Sequence, residues 1–372
     1  MYRIYINSYM LEDAKKVLVL GGHGRYGNKI SQTLADIKGV HCVAAGRHPP
    51  SRSKWDNRIT HIALNVEDPG SLRSALADSF IVINASGVPA ESSVSIAMLC
   101  LEAGVHYIDL SDSRHLLQEI VRLNRKAINA NVCFVSGAAS VPAISSLLVD
   151  TVITDFDRVN EIQVFKSPGN NNIGGAGTLV TELEQAGRSV RLKESGRWRE
   201  VPGWSRPLMV RFPKPVGLRR LYLCDAPDLD IFPQRYGAST VTYRTGYELN
   251  ILNFGISFLA WLKKRKRLRD PARLAPGLLW VGRWFRRFGS DRDAVGIHIK
   301  GQRDGVDTQH AVYMIGKDGS GLAIATSPVI ALTRHWIEQG PDEPGAFGAQ
   351  DVLRLQDIRD VLKDQDVVLV RQ

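Results

Sequence analysis

The 372-residue sequence has only four cysteines, and Cys42, Cys100, Cys133 and Cys224 each stand alone in an apolar or strand-like context. None sits at metal-ligand spacing from another cysteine or a histidine. Neither a zinc site nor a disulfide framework is indicated, and buried free thiols in a reducing compartment are expected. The sequence also lacks any run of about 18 uncharged apolar residues, which argues against a spanning helix. Its opening stretch, MYRIYINSYMLEDAKK, carries acids and no long apolar segment, so it is not read as a signal peptide. There is no internal repeat, no low-complexity tract, and no Ser-His-Asp or Ser-Tyr-x-x-x-Lys constellation. The expected setting is cytoplasmic.

What is there fits a soluble globular chain, with 44% apolar and 23% charged residues. Its length suggests two domains, since one compact core tends to hold ~100–200 residues. The net charge of +10 is concentrated: residues 254–300 hold twelve Lys and Arg against three Asp, and the remainder is near neutral. Spread evenly, such charge would hint at nucleic acid. Concentrated in one aromatic-rich segment, it points to a local surface, and no nucleic-acid partner is expected.

Short apolar runs at 17–21, 40–45, 61–66, 80–85, 106–110 and 132–135 alternate with helical patterns at 26–37, 69–78, 90–104 and 114–130. Strands that are apolar throughout indicate a parallel sheet covered on both faces. The fold class is therefore α/β, with a doubly wound domain over residues 14–150. From residue 151 the rhythm changes to strand-like runs at 160–166, 190–193, 198–201, 221–224, 240–244, 295–301, 309–315 and 322–325. Lys193–Arg197 and Lys317–Ser320 read as hairpin turns. A second, α+β domain over 151–326 is expected on a mostly antiparallel sheet. One helix at about 175–187 and a helical basic block at 250–289 interrupt it. The segment 327–372, helical at 328–339, is expected to return to the first domain.

Gly22-His-Gly24-Arg-Tyr-Gly27 is a G-x-G-x-x-G that follows an apolar strand and opens a helix. In that context Gly22 permits the tight turn and Gly24 lets the backbone approach a pyrophosphate. Gly27 allows close helix–strand packing, with Arg25 and Tyr26 in the helix's first turn. An NAD site usually places an acid at the end of the next strand, whereas here that strand ends Val43-Ala-Ala-Gly46-Arg47-His48. Arg47 suits a 2′-phosphate, with Arg52 and Lys54 as further cations, so NADP (NADPH) is the expected cofactor. Asn84-Ala85-Ser86-Gly87 ends the fourth strand with small residues that would let backbone approach the nicotinamide ribose. Asp68, after the third strand, is either an adenine neighbour or a helix cap.

The sequence resembles the saccharopine dehydrogenase-like family of NADP-binding oxidoreductases. The resemblance rests on VLVLGGHGRYGN (17–28), AGR (45–47), VINASGV (82–88), LEAGVHYIDLSDSR (101–114) and SGAASVPAISSLLVD (136–150). CDAPDLDIFPQRY (224–236) and RFGSDR (287–292) look like a bacterial branch of it. The resemblance implies an NADP-binding Rossmann domain followed by an open antiparallel-sheet domain, and a small-molecule substrate. Family members that act on amino acids bind substrate charge around the turn matching 136–145. Here Gly137–Ile144 carries no charge, which favours a fairly apolar substrate.

Hydride transfer usually also needs a proton donor. Asp109 and Asp112, at the end of the fifth strand, are candidates, with a helix-capping role as the alternative for Asp112. Tyr236 is a candidate donor, with Arg235 as an anion holder and turn chemistry as the alternative; Tyr247 and Glu248 are weaker candidates. The expected function is an NADP(H)-dependent oxidoreductase acting on a C=O, C=N or activated C=C bond. The alternative is a non-catalytic NADP-binding scaffold or membrane-associated protein. The segment 251–289 pairs an apolar run, ILNFGISFLAWL, with Lys263–Arg267 and three tryptophans. A lid over a greasy tunnel or a homodimer contact ranks ahead of peripheral contact with an anionic membrane.

Overall fold

The computed structural model describes residues 14–51, 56–172, 183, 185–265, 277, 288–317 and 319–372. The described chain divides into two compact units. The first comprises residues up to Ser111, His115–Ala138 and Pro328–Val352; the second comprises Asp112–Arg114, Ala139–Ser327 and Leu353–Gln372.

In the first unit the strands are β1 (Lys15–Leu20), β2 (Val40–Gly46), β3 (Ile59–Ala63), β4 (Ser79–Asn84), β5 (His106–Asp109) and β6 (Cys133–Ser136). They lie in the order 3-2-1-4-5-6, and every pairing is parallel. The core of β1 is Val17, Leu18, Val19 and Leu20, all fully buried, because neighbouring elements cover both of its faces. Helices α1 (Arg25–Leu34), α2 (Pro69–Leu76) and α3 (Ala90–Ala103) make the crossovers. α1 buries Gly27, Ile30, Ser31 and Leu34, spacings of three and four that put one stripe on the sheet. The expected helix over 114–130 is two, α4 (Arg114–Arg122) and α5 (Asn124–Asn129).

The second unit begins its regular structure with α6 (Ser145–Asp150) and β7 (Arg158–Ser167). Strands β8 (Ser189–Glu194) and β9 (Arg197–Pro202) form a separate hairpin. Its turn places Ser195 and Gly196 both at positive φ, the geometry that matches strand twist. The main sheet adds β10 (Ser205–Arg211), β11 (Leu218–Leu223), β12 (Thr240–Thr245), β13 (Asp293–Arg303) and β14 (Val306–Gly316). Helices α7 (Asp228–Arg235) and α8 (Asn250–Lys264) precede and follow β12. The sheet is mixed: β7 pairs parallel with β12 and antiparallel with β13, and its other pairings are antiparallel. Phe165, Phe212, Leu221, Tyr313 and Ile315 form a core on it.

The chain then runs through α9 (Gly321–Glu338). β15 (Gly345–Gly348) extends the first sheet beyond β6, and β16 (Val367–Arg371) completes the second beside β14. Residues 322–325, expected as a strand, are thus the first turns of α9, and Lys317–Ser320 leads into a helix rather than around a hairpin. A short apolar run reads alike as buried strand or buried helix. Pro328 lies inside this helix and cannot donate to the Ile324 carbonyl; the Ser327 hydroxyl donates to it instead at 3.0 Å. The expected helix at 175–187 and most of the block beyond 265 fall outside the described residues.

Candidate functional site

In the first unit, order 3-2-1-4-5-6 makes a topological switch point between β1 and β4, where ligands bind outside the carboxyl ends of the strands. Both loops read from the sequence, the glycine turn after β1 and residues 85–87 after β4, lie there. They approach so closely that a side chain at Gly21 would meet the Ala85 carbonyl oxygen at 2.4 Å and Ser86 Cα at 2.6 Å. Gly21 also has φ +74°, so it carries the tight turn expected of Gly22. Gly22 instead lets the turn pack on β2, where its Cβ would meet Ala44 at 2.8 Å. Gly27 is closed to any side chain by the Gly21 carbonyl oxygen, 2.2 Å from an added Cβ. α1 can therefore aim its N-terminus across the turn. Gly24 caps that end in an extended conformation, and among the described residues no side chain occupies the cap. Arg25 and Tyr26 follow, half-buried. A cradle without Cβ atoms, closed by a helix N-terminus, fits a pyrophosphate.

Asn84 shapes the second loop. Its Oδ1 accepts from the Ser86 amide at 3.2 Å and hydroxyl at 2.6 Å, while its Nδ2 donates to Tyr107 and Ser93. Ala85 is tied back to β1 through its amide, which donates to the Leu20 carbonyl at 2.9 Å, and Gly87 turns at positive φ. At the end of β2, Arg47 is exposed; Arg52 and Lys54 lie outside the described residues. Asp68 is the N-cap of α2, one oxygen accepting from the Gly70 amide at 3.2 Å and the other from the Ser71 hydroxyl. A histidine pair that no sequence signal marked lies beside Gly46. The rings of His23 and His61 stack at 5.4 Å, and His23 leans over Gly46. Burial holds both imidazoles below their ordinary range.

The three catalytic candidates differ in setting. Asp109, in the first unit, is 1% exposed, and its Oδ1 accepts from the Ser111 amide at 2.9 Å and the Gly137 amide at 3.1 Å. Burial pushes its carboxyl up to about 6. Asp112, in the second unit, lies 3.6 Å from the Lys166 ammonium on β7. Tyr236 closes α7, donates to Asp150 at 2.8 Å and to the Ser146 carbonyl at 3.3 Å, and burial pushes its phenol up. Arg235 also reaches Asp150, at 3.4 Å. Of the weaker candidates, Glu248 accepts from Arg219, Ser290 and the Asn170 amide, which makes it a loop tie.

A second cluster surrounds Asp112. Asp228 opens α7, fully buried, and its Oδ1 accepts from the Ser145 hydroxyl; its Oδ2 has no protein partner among the described residues. Burial pushes this carboxyl up to about 6, with Asp112 raising it further and Lys166 opposing. The Tyr243 phenol feels the same Lys166 and Asp112 charges, and burial pushes it up. Arg114 donates to Asp225, just before α7, at 2.7 Å and, through two nitrogens, to Asp230 in its first turn. The sequence named Asp112, Tyr236 and the 224–236 segment with its Asp228, but missed Lys166 and Ser145. β7 alternates ordinary strand residues, and only the tertiary fold brings Lys166 to the loop that carries Asp112.

Strand order and glycine turn together define a dinucleotide-binding protein of the doubly wound class. Residues 17–135, about a third of the chain, match the family model described as Saccharopine dehydrogenase NADP binding domain. No curated protein matches the sequence. Among solved structures, apo saccharopine dehydrogenase (L-Glu forming) from Saccharomyces cerevisiae is similar at 16% identity and TM-score 0.66, over 96% of this chain and 100% of that one. An amine dehydrogenase from Mycobacterium smegmatis follows at 13% identity and TM-score 0.51, over 93% and 98%. At these identities the likeness is one of fold, and it extends through both units.

Proposed function

We propose that this chain is an NADP(H)-dependent oxidoreductase that reduces or forms a C=O, C=N or activated C=C bond in a fairly apolar small molecule. The observation that carries the reading is the Cβ-free cradle of Gly21, Gly22 and Gly27 beneath the α1 N-terminus, in a region matched to an NADP-binding family. In this reading Gly24, Arg25 and Tyr26 hold the pyrophosphate. Arg47 pairs with the 2′-phosphate, and Ala85–Gly87 carries the nicotinamide ribose. Bound NADPH supplies the hydride.

The chain must supply orientation and protons. A carboxyl with a pKa near 6 holds a proton in a useful fraction of molecules near neutrality, which suits Asp109 and Asp228 to acid–base work. Lys166, beside Asp112, offers a cation for an electronegative substrate atom. The uncharged run Gly137–Ile144 favours a substrate of low polarity.

Fluorescence titration tests the cofactor. NADPH should bind, and Arg47→Ala should weaken it about 10–100-fold while leaving NADH little changed, because one charge-assisted bidentate contact is lost. An unchanged NADPH dissociation constant in this variant removes Arg47 from the site. Turnover is tested separately. Stereospecific loss of label from [4-²H]NADPH to any carbonyl, imine or enone acceptor supports the enzyme, and its absence across such a panel leaves an NADP-binding protein without turnover.

A further inference from the structure

Helix α8 is divided sharply between two faces. Asn253 is fully buried; its side chain accepts from the Tyr247 amide at 2.7 Å and donates to the Tyr247 carbonyl at 2.8 Å and the Arg220 carbonyl at 3.3 Å. Ile256 and Ala260 are buried on the same side, and Gly187 packs against the Ala260 carbonyl oxygen. These contacts fix the helix in rotation. The opposite side presents Ile251, Phe254, Phe258 and Trp261 at 56%, 51%, 58% and 40% exposure. At 3.6 residues per turn these four fall within about 80° of arc.

Such a stripe costs free energy in water and calls for an occupant. Its borders are cationic. The Arg265 guanidinium lies over the Trp261 ring at 4.3 Å, and that of Arg220 over the Phe254 ring at 5.2 Å. Phe258 and Trp261 stack on each other at 5.8 Å. The sequence continues through Lys263–Arg267 as five successive cations. No described helix is long and apolar enough to cross a membrane.

We infer that the exposed face of α8 docks on an anionic lipid surface. The apolar rings enter the boundary between headgroups and acyl chains, and Arg220, Lys263 and Arg265 meet the headgroup phosphates. Apolar depth and negative charge in one plane are what this face complements. A second copy of the chain, brought up by a two-fold axis, would set one basic border near another.

Flotation of the full-length protein with phosphatidylcholine vesicles, with and without one third phosphatidylglycerol, tests this. The protein should float with the anionic vesicles only, and raising the salt to about 0.5 M should cut the bound fraction about tenfold or more. Phe258→Ser with Trp261→Ser should do the same at low salt, as should Lys263→Gln with Arg265→Gln. Circular dichroism and thermal unfolding check that each variant is folded, and Phe258→Ser alone serves if the pair is not. No flotation with anionic vesicles at low salt overturns the inference, as does equal flotation with neutral vesicles. Binding that survives loss of the rings also overturns it. So does a concentration-dependent dimer, seen by sedimentation velocity, that the ring substitutions dissolve in a protein that binds no vesicle.

Discussion

At Gly27 any side chain would meet a carbonyl oxygen at 2.2 Å, whereas at Asp228 a carboxyl sits fully buried with one oxygen unpartnered among the described residues. The candidate site of the first unit leaves atoms out, so that backbone is free to face a ligand. The candidate cluster of the second puts costly groups in: Asp228, Ser145, Lys166 and Asp112. The two strategies differ in how they fail. An absence is ruined by one added methyl, while a buried charge can be removed and leave the fold more stable.

The largest expected effect is at Gly27. In Gly27→Ala the new methyl must push α1 off the turn, since the atom it meets is backbone. NADPH affinity should fall at least about 100-fold, with a lower melting temperature, read by fluorescence titration and thermal unfolding. Near-normal affinity would mean the turn yields easily, and the contrast between the two units would weaken.

Asp228→Asn comes next and has the opposite sign. The folded-state pKa of about 6 lies above the free value of 3.8, so the folded protein binds this proton more tightly than the unfolded chain. Asp228 therefore makes stability fall as pH rises from about 4 to about 6, and the loss persists above that. At pH 8 the charge costs on the order of 3 kcal/mol. Asparagine keeps an oxygen for Ser145 and should recover much of that in urea unfolding at pH 8, with a shallower pH slope. Asp109 contributes a slope of the same sign and should keep the remainder. A gain in stability joined to a loss of turnover would mark Asp228 as kept for chemistry. A loss of stability at pH 8 would show that its charge is compensated.

Tyr236→Phe sharpens the comparison from the small end. The phenol donates to Asp150 and the Ser146 carbonyl, and removing it should cost about 1 kcal/mol in urea unfolding with NADPH affinity unchanged. If turnover falls more than about tenfold, Tyr236 belongs to the reacting site after all.

Much of the first unit was legible because its signals are local. A continuous apolar run marks a strand buried on both faces, and the glycines mark backbone without Cβ atoms. Within it, Gly21 was passed over for Gly22, since only the backbone dihedral shows which glycine turns the chain. Local signals fail where periodicity is mute. Residues 322–325 could be strand or helix, and Ser205–Arg211, Gly345–Gly348 and Val367–Arg371 were not expected as strands. The last two pair with β6 and β14, far away in sequence.

The amino-acid sequence by itself determined the dinucleotide turn, the parallel order of the elements around it, and the basic character of the α8 segment. Each depends on spacing within a few residues or on composition, and those survive in one dimension. Only the tertiary structure decided that Asp112 and Arg114 join the second unit, that Lys166 meets Asp112, that Asp228 is buried against Ser145, and which face of α8 is left bare. These juxtapositions join residues up to 116 positions apart, as Arg114 and Asp230 are, and no local pattern encodes a contact that sheet pairing and helix packing create.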